Sequence, residues 1–170
     1  GLQEPAWRAI VVENPFPAIM GRVCSHPCQT VCNRSQLDEA VGINSVERFL
    51  GDLAIEKGWS IPVTAAASGF HVLVIGAGPT GLSAAYHLRR LGHEVTLRDA
   101  ATAAGGMMRY GIPKYRLPRE ILDAEVARIA EMGVHLQLGH QVANLPDPLH
   151  EGFSAVFLAF GAHIAKRGSL

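Results

Sequence analysis

The chain has 170 residues, 48% of them hydrophobic, which is enough for one ordinary domain or for one domain and a small module. Its 15 lysines and arginines balance its 15 aspartates and glutamates, so no net positive charge favours a nucleic acid or an anionic membrane as partner. No hydrophobic run approaches the roughly 20 residues of a membrane helix, and no signal-peptide pattern opens the chain, so we expect a cytoplasmic protein.

The first third of the chain is predicted to be mainly helical. A short amphipathic helix is expected over residues 5–12, and a second short helix is expected to begin at Pro27 and to carry Cys28 and Cys32 on one face. A longer helix is predicted over residues 44–57, where apolar residues recur with helical spacing before Gly58.

Three cysteines, Cys24, Cys28 and Cys32, lie within this helical part. Such crowding favours a metal or cluster site over a disulfide framework. Three thiolates are one short of the four ligands that tetrahedral zinc or an iron–sulfur cluster prefers. His26 would complete a zinc site, and a ligand from elsewhere would complete a cluster, so spacing alone leaves both possibilities open.

A glycine-rich turn follows a short apolar run at residues 72–75, which is typical of a buried parallel strand. After the turn, apolar residues recur with the period of a helix that stops at Gly92. Gly76, Gly78 and Gly81 between strand and helix have the GxGxxG spacing of a dinucleotide-binding turn. The helix start would bind the pyrophosphate through its unpaired N–H groups.

A second strand, predicted at residues 94–97, is followed by Asp99, about 20 residues past the glycines, where an acid would bind a ribose hydroxyl. A solvated carboxylate at a strand end is the alternative for Asp99. An irregular loop is expected over residues 107–118, then a helix up to Gly133, a strand at 134–138 and a final buried strand at 155–160. This order predicts an α/β Rossmann-like fold.

Several motifs together resemble known flavoproteins. Residues 14–24 (NPFPAIMGRVC) and 41–49 (VGINSVERF) resemble the iron–sulfur domain of the glutamate synthase small subunit (beta chain) and of related FAD/iron–sulfur NAD(P)H oxidoreductases. The motifs of the later part resemble the FAD-binding region that follows in the same proteins: 72–81 (VLVIGAGPTG), 105–107 (GGM), 110–113 (YGIP), 116–118 (RLP) and 157–162 (FLAFGA).

The resemblance implies two domains. Residues 1–58 would form a ferredoxin-like α-helical iron–sulfur module, residues 59–69 a linker, and residues 70–170 a Rossmann-like FAD-binding domain. Because the upstream cysteines and a second GxGxxG are absent, we expect a fragment, incomplete at both ends.

The resemblance also implies the cofactor ligands. Cys24, Cys28 and Glu47 would bind one [4Fe–4S] cluster and Cys32 a second, although Asn44 and Glu47 also have the spacing of a helix capping box. No catalytic residue is assigned. The residues expected to bind FAD are Gly76, Gly78, Pro79, Gly81, Asp99, Gly105, Gly106, Met107, Arg109 and Arg116. Asp99 departs from the family, which usually carries Glu there.

The function implied by the resemblance is electron transfer. The intact protein would oxidise NAD(P)H through FAD and pass electrons through [4Fe–4S] clusters to a large catalytic subunit or a ferredoxin-type acceptor. Two other hypotheses remain: an NAD(P)-binding dehydrogenase with a structural zinc site, and a non-catalytic docking or electron-relay module. Flavin absorption would support the electron-transfer function, a colourless protein that contains zinc would support the dehydrogenase, and iron without flavin would support the docking or relay module.

Overall fold

A computed structural model describes residues 1–143 and 151–161. Its backbone contacts divide the chain into two compact units. We call Gly1–Ser60 with Ile112–Glu125 the helical unit, and Ile61–Gly111 with the described part of Val126–Leu170 the sheet unit. The domain limits predicted from the sequence stay a prediction.

The helical unit contains short helices and one long one, close to the predicted positions. Its elements are α1 (Gln3–Ile10), α2 (Pro17–Val23), α3 (Pro27–Thr30), a 3-10 turn (Asn33–Gln36), α4 (Ile43–Glu56) and the first half of α7 (Arg119–Glu131). The predicted second helix is wrong in its extent. Since α3 ends at Thr30, Cys32 lies outside it, and Cys28 and Cys32 do not share a helix face.

Helices α2 and α4 pack with their backbones in close approach. A Cβ atom on Gly51 would lie 2.3 Å from the backbone nitrogen of Ala18, and one on Gly21 would lie 2.5 Å from the Cα of Arg48. Beside this contact, Arg22 donates to both carboxylate oxygens of Asp52 at 2.6 and 2.9 Å. Glycine in both helices therefore sets their spacing, which in turn places the C-terminal end of α2.

A buried carboxylate caps the start of α2. This helix has no capping side chain at its own N-cap, and Pro17 at its first position has no N–H. The Glu125 side chain is fully buried, and its Oε1 and Oε2 accept hydrogen bonds from the N–H groups of Ala18 (3.0 Å) and Ile19 (3.1 Å). Both N–H groups are thereby satisfied from a distant point of the chain.

The sheet unit is built on a parallel sheet of four strands in the order β3-β2-β1-β4. Its strands are β1 (His71–Ile75), β2 (Glu94–Asp99), β3 (Val134–Leu138) and β4 (Ala155–Leu158), and its further helices are α5 (Pro79–Arg90) and α6 (Met107–Tyr110). β1 and β2 are the central strands, and α5 packs on both. This confirms the α/β class.

Two predictions for the sheet unit are wrong. The segment after Gly106 is not wholly irregular, because α6 forms one turn there. The last strand is not buried: β4 ends at Leu158 and lies at the sheet edge, where Phe157 is 41% exposed. Ala162, the last residue of the resemblance, lies outside the described residues. Among residues 1–143 and 151–161, no helix is both long enough and apolar enough to span a membrane.

Candidate functional site

Two of the three fingerprint glycines are required by the fold itself. Gly76 has a φ of +110°, and a Cβ there would lie 2.2 Å from the carbonyl oxygen of Ala159. A Cβ on Gly81 would lie 1.8 Å from the carbonyl oxygen of Gly76, so α5 and the turn after β1 could not pack as they do. These constraints match the roles of tight turn and helix–strand contact.

Gly78 is different, because nothing in the described part of the protein requires glycine there. Its φ of −79° suits any residue, and a Cβ on it would have the Cα of Gly106 as its nearest neighbour, at 3.9 Å. Gly78 is the N-cap of α5, which has no side-chain hydrogen bond at its first turn. Space beside an uncapped helix start is what close approach of a pyrophosphate needs.

A second glycine pair is held against this turn. The N–H of Gly105 donates to the carbonyl oxygen of Ala77 at 2.7 Å. Gly106 has a φ of +49°, and a Cβ on it would lie 2.7 Å from the Cα of Gly78. Met107 follows the pair and is exposed, and Arg109 donates through Nε to the carbonyl oxygen of Ala104.

Two cavities open beside the turn and share Asp99, Ala101 and Phe160. The first, of about 320 Å³, is further lined by Gly78, Pro79, Thr80, Gly106, Met107, Tyr110, Ala159 and Gly161. The second, of about 380 Å³, is further lined by Ile75, Gly76, Arg98, Ala100, His140, Gln141 and Val142. We call the first the turn cavity and the second the Asp99 cavity.

Asp99 is fixed between these cavities by the backbone. Its Oδ2 accepts from the N–H of Ala77 at 2.5 Å, and its Oδ1 accepts from the N–H of Ala101 at 2.7 Å. The carboxylate at this strand end is therefore held in one orientation, and its role in binding ribose stays a prediction. Each carboxylate oxygen has a second lone pair, so the group can still accept a hydrogen bond from a ribose hydroxyl.

The cysteine segment has backbone features that suit thiolates. Cys24 follows the last residue of α2, and its Sγ accepts from the N–H of His26 at 3.3 Å, where His26 takes a left-handed φ of 45°. Backbone N–H groups, that of Val41 first, lower the pKa of the Cys32 thiol below its usual value, against a smaller opposing effect of desolvation. Hydrogen bonds of this kind stabilise the charged form of sulfur.

The three thiols do not make a complete metal site by themselves. Among residues 1–143 and 151–161, no group of three or more His, Cys, Asp or Glu side chains could hold a metal ion. The described residues therefore do not fit a full four-ligand cluster or the zinc site completed by His26. Their assignment as partial ligand sets stays a prediction.

The capping box predicted for Asn44 and Glu47 at the start of α4 is wrong. Gly42 is the N-cap and makes no side-chain cap. The side chain of Asn44 instead donates to the carbonyl oxygen of Met20 at 3.2 Å, and Glu47 Oε1 accepts from Asn14 Nδ2 at 3.2 Å. Both side chains therefore bind tertiary partners and not the backbone at the helix start. The role of Glu47 as a cluster ligand stays a prediction.

Comparisons with known proteins agree with this order of units. Residues 2–59 match the family described as dihydropyrimidine dehydrogenase domain II, 4Fe-4S cluster. Residues 74–139 match the NAD(P)-binding Rossmann-like domain. The solved structure of histamine dehydrogenase from Rhizobium sp. 4-9 is similar, with 30% identity and a TM-score of 0.51, over 63% of this chain and 17% of that chain. These matches confirm an iron–sulfur domain followed by a Rossmann-like domain.

Curated relatives cover almost the whole chain. The NADP(+)-dependent formate dehydrogenase subunit beta of Moorella thermoacetica is 37% identical over 98% of this chain and 27% of that protein. The glutamate synthase [NADPH] small chain of Bacillus subtilis is 34% identical over 95% of this chain and 34% of that protein. The chain is a relative of the glutamate synthase small chain. It spans about a third or less of the length of these relatives, which are oxidoreductase subunits.

The sequence analysis did not identify several residues that line the two cavities. Thr80 lines the turn cavity at the second position of α5, and this place in the helix start could have identified it. His140, Gln141 and Val142 line the Asp99 cavity, but no motif marks them. Arg116 belongs to the helical unit and is exposed, so its role in FAD binding stays a prediction.

Proposed function

We propose that this chain is the cofactor-binding part of an FAD/iron–sulfur electron-transfer subunit. The whole protein would oxidise NAD(P)H and pass electrons to a partner, which would be a large catalytic subunit or a ferredoxin-type acceptor. The relatives that support the proposal are the beta subunit of an NADP(+)-dependent formate dehydrogenase and the small chain of an NADPH glutamate synthase. The cytoplasmic location stays a prediction.

Gly78 is the observation that carries the proposal. Two fingerprint glycines are explained by contacts within the protein, whereas Gly78 has open space at its Cβ position and precedes an uncapped helix. A ligand whose anionic group approaches that backbone explains the third glycine. The adjoining cavity of about 320 Å³ supplies the room.

Different residues of the sheet unit would then bind different parts of FAD. Gly78 and Thr80 would hold the pyrophosphate at the start of α5, and Asp99 would accept from the adenosine ribose. Gly105 contacts the turn through its hydrogen bond to Ala77, and Gly106 and Met107 would line the turn cavity around the bound cofactor. When bound, FAD supplies the conversion between two-electron and one-electron transfer.

The cysteine segment supports the second half of the proposal. Cys24, Cys28 and Cys32 would contribute thiolates, and Glu47 a carboxylate, to [4Fe–4S] clusters whose other ligands the described residues do not supply. The match of residues 2–59 to a 4Fe-4S domain supports this assignment. Neither the zinc dehydrogenase nor the docking-module hypothesis gains a specific observation from the described residues.

The test compares Gly78 with a second glycine at a helix N-cap. Gly78 and Gly42 are both N-cap residues, with φ of −79° and −74°, and the nearest atom to either Cβ position is 3.9 Å away. Gly78→Val and Gly42→Val should therefore cost similar stability, about 1 kcal/mol. Only Gly78→Val should abolish FAD binding, measured by flavin fluorescence quenching and equilibrium dialysis.

Unchanged FAD affinity in Gly78→Val would contradict the proposal. Equal loss of FAD affinity in both variants would instead indicate general destabilisation of the protein. Thermal unfolding of each variant distinguishes such destabilisation from a specific loss of FAD binding. NAD, tested in parallel on the unchanged chain, distinguishes an FAD site from an NAD site, since the matched Rossmann-like family is described as NAD(P)-binding.

A further inference from the structure

A charged cluster lies on the sheet face opposite to the side chain of Asp99. Successive residues of a strand point to opposite faces, so the Arg98 side chain leaves β2 on the other side from its neighbour. Only 7% of Arg98 is exposed, although it carries a permanent charge. A buried guanidinium needs hydrogen-bonding partners, and here they come from β3 and from the segment that leads into β4.

These partners hold the guanidinium from several directions. Its Nη1 and Nη2 donate to Glu151 Oε1 and Oε2 at 3.2 and 2.6 Å, and its Nε donates to Gln137 Oε1 at 2.7 Å. The guanidinium also lies 5.2 Å from the ring centroid of Phe153, which is buried. Glu151 and Phe153 lie just before β4, so Arg98 ties the approach to β4 to the centre of the sheet.

β4 itself has little to fix its register. It lies at the sheet edge, is bonded to β1 alone among the described strands, and has no buried residue among its four. Register is strongly specified where one face of a strand is buried, and a slip of one residue moves a strand by about 3.3 Å. The first buried side chain before β4 is Phe153, whose ring centroid lies 4.5 Å from that of His71 on β1. Contacts of Phe153 and Glu151 therefore specify a register that β4 alone does not.

The register of β4 decides where one wall of the two cavities lies. Directly after β4, the N–H of Ala159 donates to the carbonyl oxygen of Ile75 at 2.7 Å. The carbonyl oxygen of Ala159 approaches Gly76 so closely that a Cβ there would lie 2.2 Å from it. The next residue, Phe160, lines both cavities. A slip of β4 by one residue would put a different residue against Gly76 and displace Phe160 along the turn.

We infer that Arg98 and Glu151 are positioning residues for the proposed nucleotide site, because their ion pair anchors β4 in the register that places Ala159 and Phe160 at the glycine turn. The inference rests on the proposed function and adds residues that act without contact to the nucleotide. The pair acts from the opposite face of the sheet, through β4.

Amide hydrogen exchange, measured by NMR, tests the anchor without a ligand. The N–H groups of Ser154 and Ala159 donate to β1 at the two ends of β4, each at 2.7 Å. Glu151→Gln should speed exchange of both by at least about tenfold, the effect of one charge-assisted hydrogen bond. The N–H of Glu94 donates to Phe70 on the other side of β1, at 2.9 Å, and its exchange should change much less.

A double variant separates anchoring from the cost of a buried unpaired charge. Glu151→Gln alone leaves Arg98 without a carboxylate, which is itself destabilising. Arg98→Met combined with Glu151→Gln removes that charge, so the thermal midpoint should recover while exchange at Ser154 and Ala159 stays fast. Return of slow exchange in the double variant would overturn the inference. The double variant also serves as the test if Glu151→Gln alone does not fold.

Glu131→Gln is the matched control for charge. It makes the same chemical change at an exposed position of α7 within the sheet unit, and exchange at Ser154 and Ala159 should stay as in the unchanged chain. A tenfold effect in this control would overturn the inference, since the cause would then be net charge.

FAD binding tests whether the anchor positions the site. A ligand that binds only molecules with β4 in register loses affinity in proportion to their fraction. FAD affinity, measured by equilibrium dialysis, should fall about threefold or more in the double variant, which corresponds to about two molecules in three out of register. Fast exchange at Ser154 and Ala159 with unchanged FAD affinity would overturn the positioning role. If the unchanged chain binds no FAD, the proposed function is wrong, and the exchange result alone decides whether the pair anchors β4.

Discussion

Glu125→Gln tests how a single buried side chain supports the helical unit. The change keeps the size of the side chain and removes one of its two acceptor oxygens. In the structure Oε1 accepts from the N–H group of Ala18 and Oε2 from that of Ile19, both at the start of α2. The glutamine can satisfy one of them, and its NH₂ group must face the other.

The expected cost follows from these contacts. A hydrogen bond to a charged group contributes about 1.5–3 kcal/mol, and a buried donor left without a partner costs about 1–3 kcal/mol. Because Glu125 is fully buried, no water replaces the lost acceptor. We expect Glu125→Gln to lower the free energy of unfolding of the helical unit by about 3 kcal/mol, which is a large part of the roughly 5–15 kcal/mol typical of a domain.

Tryptophan fluorescence reports this unit selectively. The chain has two tryptophans, Trp7 and Trp59, which lie in the helical unit with ring centroids 5.6 Å apart. Urea unfolding followed at this signal gives the free energy change. Glu131→Gln makes the same chemical change at an exposed position of α7 and should stay within about 0.5 kcal/mol of the unchanged chain. If Glu125→Gln unfolded at the same urea concentration as Glu131→Gln, the capping role would be refuted.

Three further predictions use other contacts. Gly51→Ala places a Cβ 2.3 Å from the backbone of Ala18, so overpacking of about 1–3 kcal/mol should exceed the helix-propensity gain of about 1 kcal/mol and shift the tryptophan-detected transition downwards. Arg98 lowers the pKa of Glu151 below its ordinary 4.5, so the pair stabilises the fold above that pH and loses its effect as pH falls through the lower folded-state pKa. The thermal midpoint of the unchanged chain should therefore fall more steeply in acid than that of Glu151→Gln, and parallel pH profiles would argue against the pair. Gly78→Ser should raise the stability of the fold by a few tenths of a kcal/mol through capping of α5, yet weaken FAD binding; calorimetry and dialysis on the same sample would show whether the two effects have opposite signs.

Local sequence signals were sufficient for the strands, the long helices and the glycine turn. The apolar run before Gly76 and the helical spacing after it reappear as β1 and α5, because a buried parallel strand and an amphipathic helix both leave their period in a short window. The glycine spacing also indicated the turn cavity. What it could not show is that Gly78 alone of the three is not required by internal contacts.

Contacts between distant parts of the chain were beyond the sequence. Glu125 is 107 residues from Ala18, and no pattern in one sequence links the two. The capping box at Asn44 failed for the same reason: Met20 supplied a tertiary partner for its side chain. A polar residue near a helix start satisfies local geometry only where no stronger partner from elsewhere competes for it.

The same limit applies to Arg98. From sequence it is a charged residue in a strand, and a charge in a buried strand predicts either an error in the assignment or a partner. Glu151, 53 residues later, is that partner. Only the folded arrangement shows that this buried cation is already paired.

The contrast between Gly78 and Gly106 has an evolutionary consequence. A side chain at position 106 would collide with the backbone of Gly78, whereas one at position 78 would have free space. Mutations at 106 would therefore be removed by selection for a folded protein, and mutations at 78, under the proposed function, mainly by selection for a bound nucleotide. In a lineage that lost the cofactor, position 78 should drift first while positions 76, 81 and 106 remain glycine. Among sequences that share this fold, the residue at this one position should separate the working flavoproteins from degenerate copies.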